Sequence, residues 1–273
     1  MLPLSRYELG HTALVASQMD QRFCYALYVP KSYKPGASAG KRYDLIIAMH
    51  GSARLVLPYR DGFAALAEDL GCFVLAPLFP IGTIEQGDAD NYKYIAYRGL
   101  RYDLILLGMI AEVEARYDVR FARRAIHGFS GGGQFVHRFA YLHAETLVAA
   151  SIGAPGKVTL LDDSRDWWMG TRDVPRRFGR AIDLAALRKL RLHLIVGGAD
   201  VDETEIFIPE DSPLWMPGAN DAGRNRIERL KTLHDNLQAQ GMSVEMEVVP
   251  GVAHEGLGRV LERAGVFLAK AFA

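Results

Sequence analysis

Residues 125–135 read AIHGFSGGGQF and set one serine, Ser130, among Gly128, Gly131, Gly132 and Gly133. Four glycines would weaken an ordinary helix or strand, because glycine loses the most backbone freedom on ordering. Their context gives them another use. The apolar, strand-like ARRAIH (122–127) leads into them and the helix-like QFVHRFAYLH (134–143) follows. A strand that turns directly into a helix needs a strained backbone at the apex and small neighbours that leave room for it. The apex residue then stands at a helix N-terminus, where backbone N–H groups hold negative charge. Residues 128–132, GFSGG, have the G-x-S-x-G form of such a turn, which presents the Ser130 hydroxyl as a nucleophile.

On both sides of this turn, strands alternate with helices. Upstream, Thr12 to Met19 and Phe23 to Val29 read as an antiparallel pair. YDLIIAMH (43–50) is a continuous apolar run that suits a parallel strand buried on both faces. Tyr59 to Leu70 has helical spacing up to Gly71, CFVLAP (72–77) is a strand, and Leu100 to Tyr117 is an amphipathic helix. Downstream, LVAASIGAP (147–155), RLHLIVGG (191–198) and SVEMEVV (243–249) read as strands. Leu184 to Leu190, residues 223–240 and Leu257 to Phe272 read as helices. The pattern predicts an α/β fold with a mostly parallel central sheet of about eight strands and helices on both faces. Residues 1–273 are expected to form a single domain. Residues 80–97 read as a long loop and 156–180 as an excursion or small lid.

The composition narrows the function. A chain of 273 residues, 49% hydrophobic, is long enough for one large core. Its 32 basic and 32 acidic residues cancel, which speaks against nucleic acid or an anionic membrane as the main partner. No apolar run reaches the length of a membrane span. The N-terminal MLPLSRYELG has no basic region followed by a long apolar core, so no secretory signal is expected. Cys24 and Cys72 lie in apolar, strand-like runs and read as two buried free thiols, which fits a reducing, cytoplasmic setting. There is no HExxH, CxxC pair, P-loop or dinucleotide fingerprint, so metal-dependent hydrolysis, phosphoryl transfer and hydride transfer are disfavoured.

A serine hydroxyl needs a base beside it. Of eight histidines, His254 stands out because VPGVAHEG places it in the loop between the last strand and the last helix. Open α/β sheets build their sites in such loops. The base needs an acid to fix its tautomer. Asp200 comes first after the strand RLHLIVGG and is preferred, with Asp202 and Glu203 as close rivals. Ser130, Asp200 and His254 then follow one another in the chain order Ser…Asp…His. Two donors are required for an oxyanion: the N–H of Gly131 after the nucleophile, and the N–H of Ser52 in the HGSA loop (50–53) shaped by His50 and Gly51.

With these residues in place the chain resembles an α/β-hydrolase over nearly its whole length. ALYVPKSYKPG, YDLIIAMHGSA and GFSGGGQFVHR are similar to bacterial esterases of the polyhydroxybutyrate-depolymerase and feruloyl-esterase type, and to the catalytic domains of prolyl-oligopeptidase-like enzymes. The resemblance implies a serine hydrolase without metal or organic cofactor, acting on a small-molecule or short-polymer ester. Ser130 would attack, His254 would move the proton, Asp200 would orient His254, and Ser52 and Gly131 would hold the oxyanion. Amide or peptide hydrolysis, or an inactive binding protein on the same fold, are the alternatives. Trp167, Trp168 and Trp215 are candidates for an aromatic substrate pocket, and Trp167 and Trp168 serve equally well as anchors of the 156–180 segment. Tyr92, Tyr94 and Tyr97 read as a packed aromatic loop, with a wall of the cleft as the rival use. Arg172, Arg176, Arg177 and Arg180 read as a solvated face, with recognition of an acidic substrate as the rival use.

Overall fold

The computed structural model describes residues 3–273. Its strands are β1 Gly10–His11, β2 Val15–Ala16, β3 Cys24–Val29, β4 Lys41–Met49, β5 Phe73–Leu78, β6 Ala96–Tyr97, β7 Leu100–Arg101, β8 Val119–Phe129, β9 Ala149–Gly153, β10 Arg191–Gly197 and β11 Val244–Val249. Its helices are α1 Val56–Gly62, α2 Ala64–Leu70, α3 Tyr102–Tyr117, α4 Gly131–His143, α5 Val174–Phe178, α6 Leu184–Leu187, α7 Arg226–Ala239 and α8 Arg259–Phe272.

Nine strands form one sheet in the order β1-β3-β5-β4-β8-β9-β10-β11, with β2 also on β3. β1 and β2 pair with opposite ends of β3, so nine strands fill eight places. The expected antiparallel pair is there, but its outer strand is broken. The Thr12 hydroxyl takes the Leu27 N–H at 2.9 Å where a regular ladder bond would run. From β5 to β11 every pairing is parallel. β8, at the middle, is longer than ARRAIH because Val119 and Phe121 continue it as an alternating, half-buried stretch.

Helices cover both faces. Phe63, between α1 and α2, packs edge-on against His127 of β8, and the Phe267 ring of α8 stacks on His193 of β10. Gly128, the next residue along β8, faces α4 instead. The helix read as Tyr59 to Leu70 is two helices, broken at Phe63 and stopped by Gly71 at φ 64°. All thirteen residues of α4 are buried, because the 80–97 and 156–180 segments lie over the side the sheet leaves open. Cys72 is buried and Cys24 half-buried, both as free thiols. Cys24 sits opposite Leu78, at the far end of β5 from Cys72. No helix among the described residues is long and apolar enough to cross a membrane.

Candidate active site

Ser130 sits between β8 and α4 with φ 57° and ψ −117°, a conformation L-residues rarely adopt. Its N–H donates to Gly153 O at 2.8 Å. The surrounding glycines do not share the unusual backbone: none of the four has a positive φ. They supply space. A Cβ on Gly128 would lie 2.7 Å from the Gly132 carbonyl, and one on Gly132 would lie 2.8 Å from both Met49 O and His50 O. A Cβ on Gly131 would meet Tyr92 Oη, Lys93 Cε and Ser52 Oγ at 2.7–2.9 Å. The serine bears the strain while the glycines let β4, β9 and α4 close around it.

Two loops bring the partners. Ala199 N and Gly198 N donate to Val252 O and Val249 O at 2.8 Å, tying the end of β10 to the loop after β11. His254 Nε2 lies 3.0 Å from Ser130 Oγ, and His254 Nδ1 lies 2.6 Å from Asp200 Oδ2. With the ring proton on Nδ1, donated to the carboxylate, Nε2 is free to accept from the serine hydroxyl. The Asp200 carboxylate is fully buried, and its other oxygen, Oδ1, accepts from Arg226 Nη1 at 3.2 Å. Arg226, the first residue of α7, also donates to Glu205 at 2.7 Å. Its rivals sit elsewhere. Asp202 is exposed and closes a turn by accepting from Thr204 and Glu205 N–H, and Glu203 lies 3.9 Å from Arg224.

The turn carrying Ser52 is fixed from beneath. His50 is fully buried, and burial pulls its pKa down to about 3. The neutral ring donates from Nδ1 to Gly51 O (2.8 Å) and accepts the Phe79 N–H at Nε2 (3.0 Å). In a trans peptide the C=O and the next N–H point opposite ways, so holding Gly51 O turns the Ser52 N–H away from His50. Arg54 Nη1 holds Ser52 O at 2.6 Å.

A cavity of 590 Å³ opens over Ser130, bounded by Ser52, Tyr59, Lys93, Gln134, Lys157 and His254 among others. Trp167, Trp168 and Trp215 are not among the residues that line it; Trp167 and Trp168 border a separate pocket of 250 Å³ with Tyr94 and Tyr97. Trp167 and Trp168 are buried, donating to Tyr94 O and Leu214 O. Their rings, with that of Tyr94, surround the buried guanidinium of Arg138 at 4.6–6.0 Å. Trp215 packs against the edge of the hydrophobic core. Of the aromatic loop, Tyr92 is fully buried and donates to His50 O. Arg172 pairs with Asp166, Arg176 and Arg177 with the buried Asp173, and Arg180 with Glu145. Sequence reading missed Lys93, Lys157, Gln134 and Arg226, because nothing in their local patterns separates them from solvated loop and helix residues.

No family model matches the sequence, and no curated protein matches it. Solved structures do. Poly(aspartic acid) hydrolase-1 from Sphingomonas sp. KT-1 superposes with a TM-score of 0.73 at 20% identity, covering 96% of this chain and 98% of its own. A poly(3-hydroxybutyrate) depolymerase from Bordetella parapertussis gives 0.69 at 20% identity, covering 96% and 89%. A ferulic acid esterase gives 0.62 at 17% identity, covering 96% and 97%. Sheet order, helices on both faces and likeness along the whole length agree: the chain has the α/β-hydrolase fold.

Proposed function

We propose that the chain is a single-domain serine hydrolase that cleaves a carboxylic ester of a small molecule or short polymer. The observation that carries the reading is the relay of 2.6 Å and 3.0 Å contacts from Asp200 through His254 to a hydroxyl on a strained turn. Ser130 Oγ attacks the acyl carbon as His254 Nε2 takes its proton. Asp200 keeps the imidazole in the Nδ1–H tautomer and stabilises the imidazolium. The carbonyl electrons move onto oxygen, held by the N–H groups of Gly131 and Ser52. As the tetrahedral intermediate collapses, His254 returns the proton to the departing alcohol. Water then gives a proton to His254 and attacks the acyl-enzyme, and the acid leaves as Ser130 regains its proton.

The names of two similar structures, a depolymerase of a polyester and a ferulic acid esterase, favour an ester. An amide is the second reading, favoured by the name of the poly(aspartic acid) hydrolase, whose polymer is joined by amide bonds. The Ser130→Ala variant is expected to lose ester turnover by ~10³-fold or more and to escape fluorophosphonate labelling. Undiminished cleavage of p-nitrophenyl esters by that variant would remove Ser130 from the reaction. Faster turnover of a matched anilide than of the ester would favour the amide.

A further inference from the structure

We propose that the cavity beside Ser130 contains an anion subsite, built from Lys93 and Lys157, that receives a carboxylate carried by the substrate. This deepens the hydrolase reading and names the class of ester: one with a free carboxylate elsewhere on the molecule. Lys93 and Lys157 line the cavity with side chains 8% and 15% exposed, and they share one acid. The Lys93 ammonium contacts Asp90 Oδ1, and Lys157 Nζ lies 3.7 Å from Asp90 Oδ2.

Two further cations stand behind this wall. Arg138 and Arg229 are both almost wholly buried. Among the described residues, neither has a carboxylate within ion-pair distance; their bonds go to neutral oxygens. Arg138 donates to Thr159 Oγ1 at 2.8 Å, to Lys93 O at 2.7 Å and, more weakly, to Lys157 O at 3.4 Å. Arg229 donates to Gly223 O, Gly156 O and Asn220 Oδ1. Burial pulls both guanidinium groups down to about 10 and moves the Lys157 ammonium down as well. Lys93, Lys157, Arg54 and Arg138 therefore lie around one aspartate, Asp90, which lines the same cavity, with Arg229 behind Lys157. On the other side Arg226 is already matched by Asp200 and Glu205.

Carbonyl and hydroxyl oxygens satisfy the hydrogen bonds of the arginines without cancelling their charge. The surplus is exposed where the two lysines reach the cavity, and an entering carboxylate is attracted to it through a medium that screens poorly. Gln134 lines the same wall, 95% buried, and its Oε1 has no partner. Its amide NH2 is a donor on the same wall.

The test compares 4-methylumbelliferyl monoesters of glutaric to octanedioic acid with the same esters capped as methyl esters. A charge-assisted contact of this kind corresponds to a preference in kcat/KM of ~10-fold or more for the free acid. The preference should shrink as NaCl rises and approach unity in Lys157→Met. Calorimetry with adipate on Ser130→Ala reads the subsite without turnover. Binding that Lys157→Met abolishes supports the inference even if no ester is cleaved, an outcome that would sink the hydrolase reading alone. Should Lys157→Met not fold, Lys157→Gln and the salt series give the same comparison. Capped esters cleaved as well as the free acids, with no adipate bound, overturn the subsite and leave the hydrolase reading intact.

Discussion

Replacing Gly132 with alanine adds one methyl group, and its cost is set by what surrounds it. The residue has an ordinary helical backbone, so alanine is conformationally allowed and carries a helix-propensity gain of ~1 kcal/mol at most. Against this, the new Cβ would lie 2.8 Å from Met49 O and His50 O and 3.2 Å from His50 C, all main-chain atoms. Favourable contacts between carbon atoms begin at about 3.5 Å. Overpacking of this kind costs about 1–3 kcal/mol. Moving His50 O also weakens the 3.0 Å bond it accepts from Tyr92, worth about 1 kcal/mol. The net expectation is a loss of ~1–3 kcal/mol, which in a domain of this size lowers Tm by roughly 2–10 °C. Because β4 runs straight into the Ser52 turn, ester turnover should fall more than stability alone explains. The assay is thermal unfolding by circular dichroism alongside p-nitrophenyl ester hydrolysis. Gly40→Ala is the control. It has φ 69° and open space around its Cα, so it costs only ~1 kcal/mol and leaves turnover alone. A Gly132→Ala protein that melts at or above the parent temperature would refute the close-approach argument and leave propensity as the governing term.

Arg226→Met should be strongly destabilising, by ~3 kcal/mol or more, because it strands the fully buried Asp200 carboxylate without its cation. Glu205→Gln, at the exposed end of the same pair, should stay within about 1 kcal/mol; urea unfolding of the two variants checks the asymmetry. Acid should destabilise the protein from pH 6.5 downward. Burial holds His50 and His127 neutral, with pKa values down to about 3, and His137 well below its usual range. The unfolded chain protonates all three below about pH 6.5, so it binds more protons than the folded one. Stability that is complete above that pH is therefore lost on acidification, by up to about 1.4 kcal/mol per pH unit for each ring. Equal urea midpoints at pH 7.5 and 5.5 would contradict the neutral burial.

What could be read in advance follows from the range of the forces involved. The strands β5, β9 and β10 and the C-terminal halves of β4 and β8 are apolar runs buried on both faces, so their sequence carries their position. The Ser130 turn was legible because steric demands on a strand-to-helix reversal act on adjacent residues. Asp200 and His254 were legible because loops at the ends of parallel strands converge at one rim of the sheet. Trp167 and Trp168 were legible only as a choice between pocket and anchor: their surroundings depend on Arg138, a helix residue with no local mark of being buried. Lys93 and Lys157 lie 64 residues apart, and their shared aspartate brings them together only in the folded chain. The broken edge at β1 and β2 depends on one threonine hydroxyl, a detail that periodicity does not encode.

Arg138 has a consequence for how this pocket can change. One guanidinium reaches main-chain oxygens of two segments that are far apart in the sequence, at Lys93 and Lys157. Surface loops ordinarily diverge one at a time, which lets a scaffold acquire new substrates by piecemeal exchange. Here a graft of the first segment alone would remove Lys93 O from the arginine, and a graft of the second would remove Thr159 Oγ1 and Lys157 O. Selection, or an engineer, would have to replace both segments and the helix position beneath them as one module.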